Sequence, residues 1–228
     1  MSDRQRDPGA GPAAQALDDP TLAALSQYSR GDRPLTLLDQ MERSSLDLDL
    51  AAWLVSHVSA GASFIVGAAP GNAGKTTTMR ALLSFAPADL AFLEALPGKL
   101  AGLDGRPACV VSHELSSHGL PAYLWDQDLR DFFALHGRGH MLAANLHADD
   151  LAGAHHQICA QCGVPEDQFR AVDLYLVLGV AGDGDDRRRW IESVWHSPGS
   201  SAHTMVFARD RGLLPGAPRL PDREESCR

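Results

Sequence analysis

The sequence predicts an α/β fold: a mostly parallel sheet flanked by helices and finished by an antiparallel C-terminal edge. Three observations carry this. Between residues 34 and 178, short runs rich in β-formers alternate with helix-forming segments. One of those runs, residues 63–66, passes through a Gly/Pro/Asn loop into Gly74-Lys75-Thr76, which opens a helix-forming stretch to Phe85. Beyond the hairpin turn Gly182-Asp183-Gly184-Asp185, residues 189–195 and 202–208 alternate like paired antiparallel strands.

Taken in order, residues 1–33 are rich in Gly, Pro, Ala, Asp and Arg and read as a disordered tail, with one weakly apolar patch at Thr21 to Leu25. A core is expected over residues 34–212 and a second tail over 213–228, where prolines accumulate. Leu35, Leu37 and Leu38 fit a short helix. Ser45 precedes a longer one, whose apolar positions 46, 50, 53, 54 and 57 or 58 recur at helical spacing and which Gly61 closes. After the loop and its helix, residues 90–94 read as a short strand and Pro97-Gly98 as a turn. Residues 108–112 form a buried-type strand ending at His113-Glu114. Pro121 precedes a helix from Ala122 to Leu135, with Leu124, Leu129, Phe132 and Phe133 on one stripe. The strand from His140 to Leu146 ends at His147, and Asp149 or Asp150 caps a helix to about Ala160. A short helix at 166–170 leads to a strand at 173–178.

Composition limits what the chain can do. At 228 residues it can build one full core, or one core with a small appendage. A formal net charge of −9, with residues 187–189 as the one cluster of basic side chains, argues against a nucleic-acid partner. There is no apolar run of about 18 residues to span a membrane, and residues 1–8 lack the apolar core of a signal peptide. Four cysteines do not make a secreted disulfide framework at this size. The expected location is the cytoplasm.

The chemistry concentrates at the loop. Strand, Gly-rich loop and helix in that order are the context of a phosphate-binding P-loop, whose backbone N–H groups and helix N-terminus make a concave anion site. Pro70, Gly71, Asn72, Ala73, Gly74, Lys75, Thr76 and Thr77 would hold the phosphates of ATP. Lys75 would reach the β- and γ-phosphates, and the Thr76 hydroxyl would ligate Mg²⁺. Lys75 is one of only two lysines. Ala69 stands where the motif has its first Gly, which Ala tolerates only at negative φ. In parallel sheets ligands sit outside the carboxyl ends of the strands. Glu94, Glu114 and His147 each follow an apolar run and are therefore the catalytic candidates, with Glu114 also a metal candidate. The stretch His155-His156-Gln157-Ile158-Cys159-Ala160-Gln161-Cys162 suggests metal or redox chemistry, but no second cysteine pair completes a zinc set. Cys159 and Cys162, at i and i+3, fit an apolar helix face as core residues.

These motifs resemble, in order and across roughly residues 34–205, those of the hexameric ATPases that drive type II and type IV secretion and pilus extension or retraction. Residues 69–78 are similar to the family's Gly-Pro-Thr-Gly-Ser-Gly-Lys-Thr-Thr-Thr. Pro34-Leu35-Thr36-Leu37-Leu38 looks like its lead-in, and Arg106 to Glu114 like its Arg-Pro-Asp-x-Ile-x-Val-Gly-Glu. Gly139 to Ala148 resembles the His box, and Arg188-Arg189-Trp190-Ile191-Glu192-Ser193-Val194 a late Arg-Arg-Val-x-Glu-Ile strand. The resemblance implies a RecA-like P-loop core using ATP and Mg²⁺. It places Glu114 at the Walker B position, Glu94 in the acidic box that polarises the attacking water, and His147 as a γ-phosphate sensor. It also implies a homo-oligomer, or a partner such as a cognate secretion or pilus ATPase or platform protein, and a cytoplasmic location, peripheral at the inner face of the membrane through partners.

Departures temper the expected rate. His113 replaces a Gly and Asn145 a Thr. Lys99 and Arg106 are the only Lys or Arg between Glu94 and Glu114, where the family carries a longer, arginine-bearing segment. Arg30, Arg33, Arg43, Arg130 and Arg138 fall in the tail or on helices, with no evident route to a neighbour's phosphate. Slow ATP hydrolysis is the leading expectation; the alternative is a degenerate nucleotide-binding regulatory or adaptor module docking on a true motor. A small-molecule kinase or GTPase is a third reading, and no guanine signature Asn/Thr-Lys-x-Asp is present.

Overall fold

The computed structural model describes residues 20, 21, 23, 33–69, 71–103, 105–118 and 122–219. Most of the N-terminal tail, Arg30, Pro70, Pro121 and residues 220–228 lie outside the described residues. The chain folds as a mixed α/β structure, in which a mostly parallel sheet is flanked by helices and ends in antiparallel strands.

Helix α1 (Leu37–Glu42) starts at a capping box: the Thr36 hydroxyl accepts from the Asp39 N–H, and the Asp39 carboxylate accepts from the Thr36 N–H. Arg33 grips the same carboxylate with two hydrogen bonds of 2.6 Å. Arg33 and Thr36 together hold Asp39 well below the usual carboxylate range. Helix α2 (Leu48–Ser59) is capped by Asp47, not Ser45, through Leu50 N–H to Oδ1 at 2.8 Å. The Ser45 backbone is committed elsewhere, since its carbonyl accepts from the Ile191 N–H. Gly61, at φ +94°, turns the chain after α2 as its sequence position implies.

Then come β1 (Phe64–Gly67), α3 (Lys75–Leu83), β2 (Ala91–Glu94) and β3 (Ala108–Leu115). Tyr123 and Leu124 depart from the expected helix. They form a short strand, β4 (Tyr123–Leu124), parallel to the end of β3 in the register Glu114↔Tyr123 and Leu115↔Leu124. Buried backbone groups at the end of β3 need partners, and the Leu124 carbonyl takes the Ser116 N–H. Helix α4 (Asp126–Ala134) therefore starts only at Asp126, with Leu129, Phe132 and Phe133 buried.

The chain continues through β5 (Met141–Leu146) and α5 (Leu151–His155), capped by Asp150. Helix α5 passes directly into a π-helical segment, His156–Gln161. Helix α6 (Glu166–Ala171) precedes β6 (Leu174–Ala181), β7 (Arg188–His196), β8 (Thr204–Ala208) and β9 (Gly212–Leu213). The strand order is β2-β3-β5-β1-β6-β7-β8-β9. Strands β2, β3, β5, β1 and β6 run parallel, and β6 to β9 pair antiparallel.

Strand β1 thus lies at the centre, which explains its unbroken apolar run. Phe64 and Val66 pack into one core with α2 and α3, and Ile65 into the other with α4 and the π segment. Beyond β9, the Leu214 N–H bonds the Val206 carbonyl, and the Trp53 indole donates to the Pro218 carbonyl at 2.7 Å. Among the described residues no helix is long and apolar enough to cross a membrane.

Candidate functional site

At the carboxyl end of β1 the backbone makes a loop that few sequences can follow. Asn72 (φ +60°) and Gly74 (φ +96°) both adopt the left-handed conformation, and Gly74 is the N-cap of α3. No side chain caps α3, so its first N–H groups face the loop without an internal acceptor. Gly67, the last residue of β1, is held small by a close crossing: a Cβ there would lie 2.9 Å from the Ala148 carbonyl oxygen. That crossing brings the residue after β5 beside the loop.

The register explains which strand-end residues meet. Gly67 is level with Leu146, so His147 emerges next to the loop. Lys75, only 8 % exposed, lies 3.5 Å from Glu114 Oε2 and 3.5 Å from His147 Nδ1. His147 Nε2 faces Glu114 Oε2 at 3.7 Å. His147 Nδ1 also lies 3.2 Å from the Ala69 carbonyl, so a neutral ring must either donate there or accept from Lys75. Gln157 fixes the backbone at this point by donating to the His147 carbonyl at 2.6 Å. The ring of His118 packs edge-on against that of His147.

Burial dominates the electrostatics. It pulls the Lys75 ammonium down from its ordinary value against the opposing pull of Glu114. It pushes the Glu114 carboxyl up, against Lys75 and His147. Both partners of the pair thus still bear an uncompensated desolvation cost. Glu114 Oε1 is buried with no hydrogen-bond partner. The Thr76 hydroxyl accepts from Asn145 Nδ2 at 3.2 Å, and the same amide donates to the His113 carbonyl at 2.9 Å. An orphaned carboxylate oxygen and a threonine hydroxyl are the hard oxygen donors that suit Mg²⁺.

Glu94 sits elsewhere. It pairs with Val111, which is level with Ala143 and Phe64, so β2 ends three residues short of Gly67. At about 3.3 Å per residue that is about 10 Å below the loop. The Glu94 carboxylate meets His113 Nε2 at 2.9 Å and does not reach Lys75, Glu114 or His147.

A cavity of about 600 Å³ opens in front of this group, within the range of small-molecule sites. Residues 71–78, Glu114 and His147 line one part of it, and Leu35, Leu178 and Ile191 contribute apolar wall. Arg43, Arg187, Arg188 and Arg189 also line it, a placement the sequence reading did not anticipate. Arg189 Nε donates to the Asn72 carbonyl at 2.8 Å. Its Cδ would stand 3.2 Å from a Cβ at Gly74, a second reason for glycine there. The available signal was the arginine run directly after a hairpin turn, since the strand it opens pairs with the neighbour of β1. Of the other arginines, Arg33 binds Asp39, Arg130 binds the Gln127 side chain, and Arg138 the Ala101 carbonyl.

No family model matches the sequence, and no curated protein matches it. Solved structures with a similar course include the VirB11 ATPase of the Brucella suis type IV secretion system, in complex with sulphate. It has 18% identity and a TM-score of 0.49 over 87% of this chain and 67% of that one. The ATPase DotB of Legionella pneumophila has 14% identity and a TM-score of 0.47 over 72% of this chain and 51% of its own. DotB of Yersinia pseudotuberculosis has 11% identity and a TM-score of 0.45 over 72% and 48%. This chain spans about two thirds of the first and about half of the other two.

Proposed function

We propose that the cavity binds ATP with Mg²⁺ and hydrolyses the nucleotide slowly, as an ATPase of the type II and type IV secretion and pilus-motor kind. The observation that carries this is the convergence of Lys75, Glu114 and His147, within 3.7 Å of one another, on a left-handed loop at a helix N-terminus. The loop N–H groups and Lys75 take the phosphates, and an added polyanion relieves the desolvation that now depresses Lys75. Arg189 steadies the loop through Asn72. With Arg43, Arg187 and Arg188 it gathers cationic charge at the cavity of a chain whose net charge is −9. Leu35, Leu178 and Ile191 offer an apolar wall to the base.

Thr76 and Glu114 are the residues that would hold Mg²⁺, which neutralises phosphate charge when bound. Glu114, raised by its burial, is the group fit to accept a proton from the attacking water, and His147 beside it contacts the terminal phosphate. Glu94 acts through a relay: its carboxylate holds His113, whose carbonyl orients Asn145, which donates to Thr76.

One observation favours the second reading, a module that binds nucleotide without turning it over. Asn145 takes one lone pair of the Thr76 hydroxyl and leaves the metal only the other. Steady-state ATPase assays beside equilibrium ATP binding separate the two. Binding with turnover supports the ATPase, binding without turnover supports the module, and no Mg²⁺-dependent ATP binding refutes both. The proposed setting is the cytoplasm, in a homo-oligomer or docked on a cognate secretion or pilus ATPase or platform protein. Sedimentation with Mg²⁺ and a non-hydrolysable ATP analogue reads the assembly.

A further inference from the structure

A second cluster of reactive side chains lies outside the cavity, on the sheet face opposite α3. His155 and Cys159 stand at i and i+4, on one side of the helix where α5 becomes π-helical. Glu166 opens α6 and reaches back, with Oε1 2.5 Å from His155 Nε2. One ligand atom from each of the three lies within 4.8 Å of the others. The sequence suggests pairing Cys159 with Cys162, but Cys162 is buried and takes no part in this cluster.

We propose that His155, Cys159 and Glu166 form a three-ligand site for a divalent transition metal of the zinc class, with its fourth position open to solvent. Imidazole, thiolate and carboxylate are the zinc donors, and a thiolate selects against Mg²⁺ and Ca²⁺. Tetrahedral bonds of zinc length put such donors about 3.4–3.6 Å apart, so the 2.5 Å contact between His155 and Glu166 opens by about 1 Å as the ion enters.

The surroundings are those of a built site. The Phe169 ring packs edge-on against His155 at 5.1 Å and fixes its plane. The Tyr175 hydroxyl is buried, has no hydrogen-bond partner and lies within electrostatic range of Cys159. The i→i+5 hydrogen bond from Cys162 N–H to the Gln157 carbonyl belongs to a π-helical turn, a deviation common at functional sites. His155 and Glu166 are 43 % and 59 % exposed at their side chains, which leaves a path for an ion.

The test uses the full chain stripped with a chelator, then titrated with Zn²⁺ against a chromophoric competitor, and separately with Co²⁺. The expected result is one Zn²⁺ per chain and a thermal midpoint raised by about 5–10 °C at 100 times the dissociation constant. The Co²⁺ form should show a thiolate-to-cobalt charge-transfer band. His155→Ala, Cys159→Ser and Glu166→Gln should each lose at least about 10-fold in affinity, and Cys159→Ser should lose the band. His156→Ala, at the exposed neighbour, should bind like wild type. No uptake by the wild type, Co²⁺ bound without the band, unchanged affinity in any of the three variants, or an equal loss in His156→Ala overturns the assignment. The wild-type spectrum decides the question even where a variant folds poorly.

Discussion

Lys75→Ala removes the cation from the base of the cavity and leaves Glu114 buried near His147 and His118. At 3.5 Å and an effective dielectric of about 20, the lost attraction is about 5 kcal/mol. Two effects offset it. The variant no longer bears the burial cost that depresses Lys75, and Glu114 can take up a proton at 1.36 kcal/mol per pKa unit of further rise. A net loss of about 1–3 kcal/mol at pH 7 follows, below the range for breaking a well-made buried pair. At about 2–4 °C per kcal/mol for a chain of this size, the ligand-free midpoint falls by several degrees. The sign with pH is fixed by Glu114. Its folded pKa is raised, so its contribution is fully present below the unfolded value near 4.5 and is lost as pH rises through the folded value. The variant should thus recover stability relative to wild type as pH is lowered from 7 towards 5. Wild type in Mg·ATP at 100 times its dissociation constant should gain about 2.7 kcal/mol, or about 5–10 °C. The variant should gain none. Scanning fluorimetry at two pH values, with and without Mg·ATP, reads all of this. An equal ATP-induced rise in both proteins would refute the phosphate-binding role of Lys75.

Three further outcomes are expected. Glu114→Gln should keep the Mg·ATP-dependent rise in midpoint while turnover falls by at least about 10²-fold; unchanged turnover in a single-turnover assay rules out Glu114 as the proton acceptor. Arg189→Ala loses the bond to the Asn72 carbonyl and a cation facing the cavity, so ATP affinity should fall about 10-fold or more and depend less on salt; calorimetric titration at two ionic strengths measures both. Gly179→Ala should destabilise by about 1–3 kcal/mol in urea unfolding, since its Cβ would stand 2.3 Å from the Trp190 indole lying across β6. A midpoint unchanged by that substitution would mean that Trp190 does not pack there.

What could be read from the sequence divides by the range of the interaction that decides it. Strand β1, the loop and α3 are contiguous, so the Gly-rich turn and the apolar run before it sufficed. Glu114 and His147 followed from strand alternation plus the rule that parallel strands gather their carboxyl ends. Glu94 passed the same test yet lies about 10 Å lower. The length of β2 and its register on β3 decide its height, and neither leaves a mark in four residues of sequence. Leu124 fits the apolar stripe of α4 equally well as a helix residue, and only the unpaired end of β3 draws it into a strand. Asp47 and Ser45 are both good caps; the choice fell to Asp47 where β7 claimed the backbone of Ser45. The arginines are the sharpest case. Arg189 touches a loop residue 117 positions earlier because the neighbour order β1-β6-β7 folds the hairpin back over the cavity. The metal trio likewise depends on a turn between the π segment and α6 that no cysteine spacing encodes. Local chemistry thus specifies the loop and the start of α3, whereas the arginine-lined wall of the cavity and the second cluster come into being only when the sheet order is set. Substitutions that disturb the β6–β7 pairing should therefore weaken the proposed nucleotide binding without touching residues 71–78.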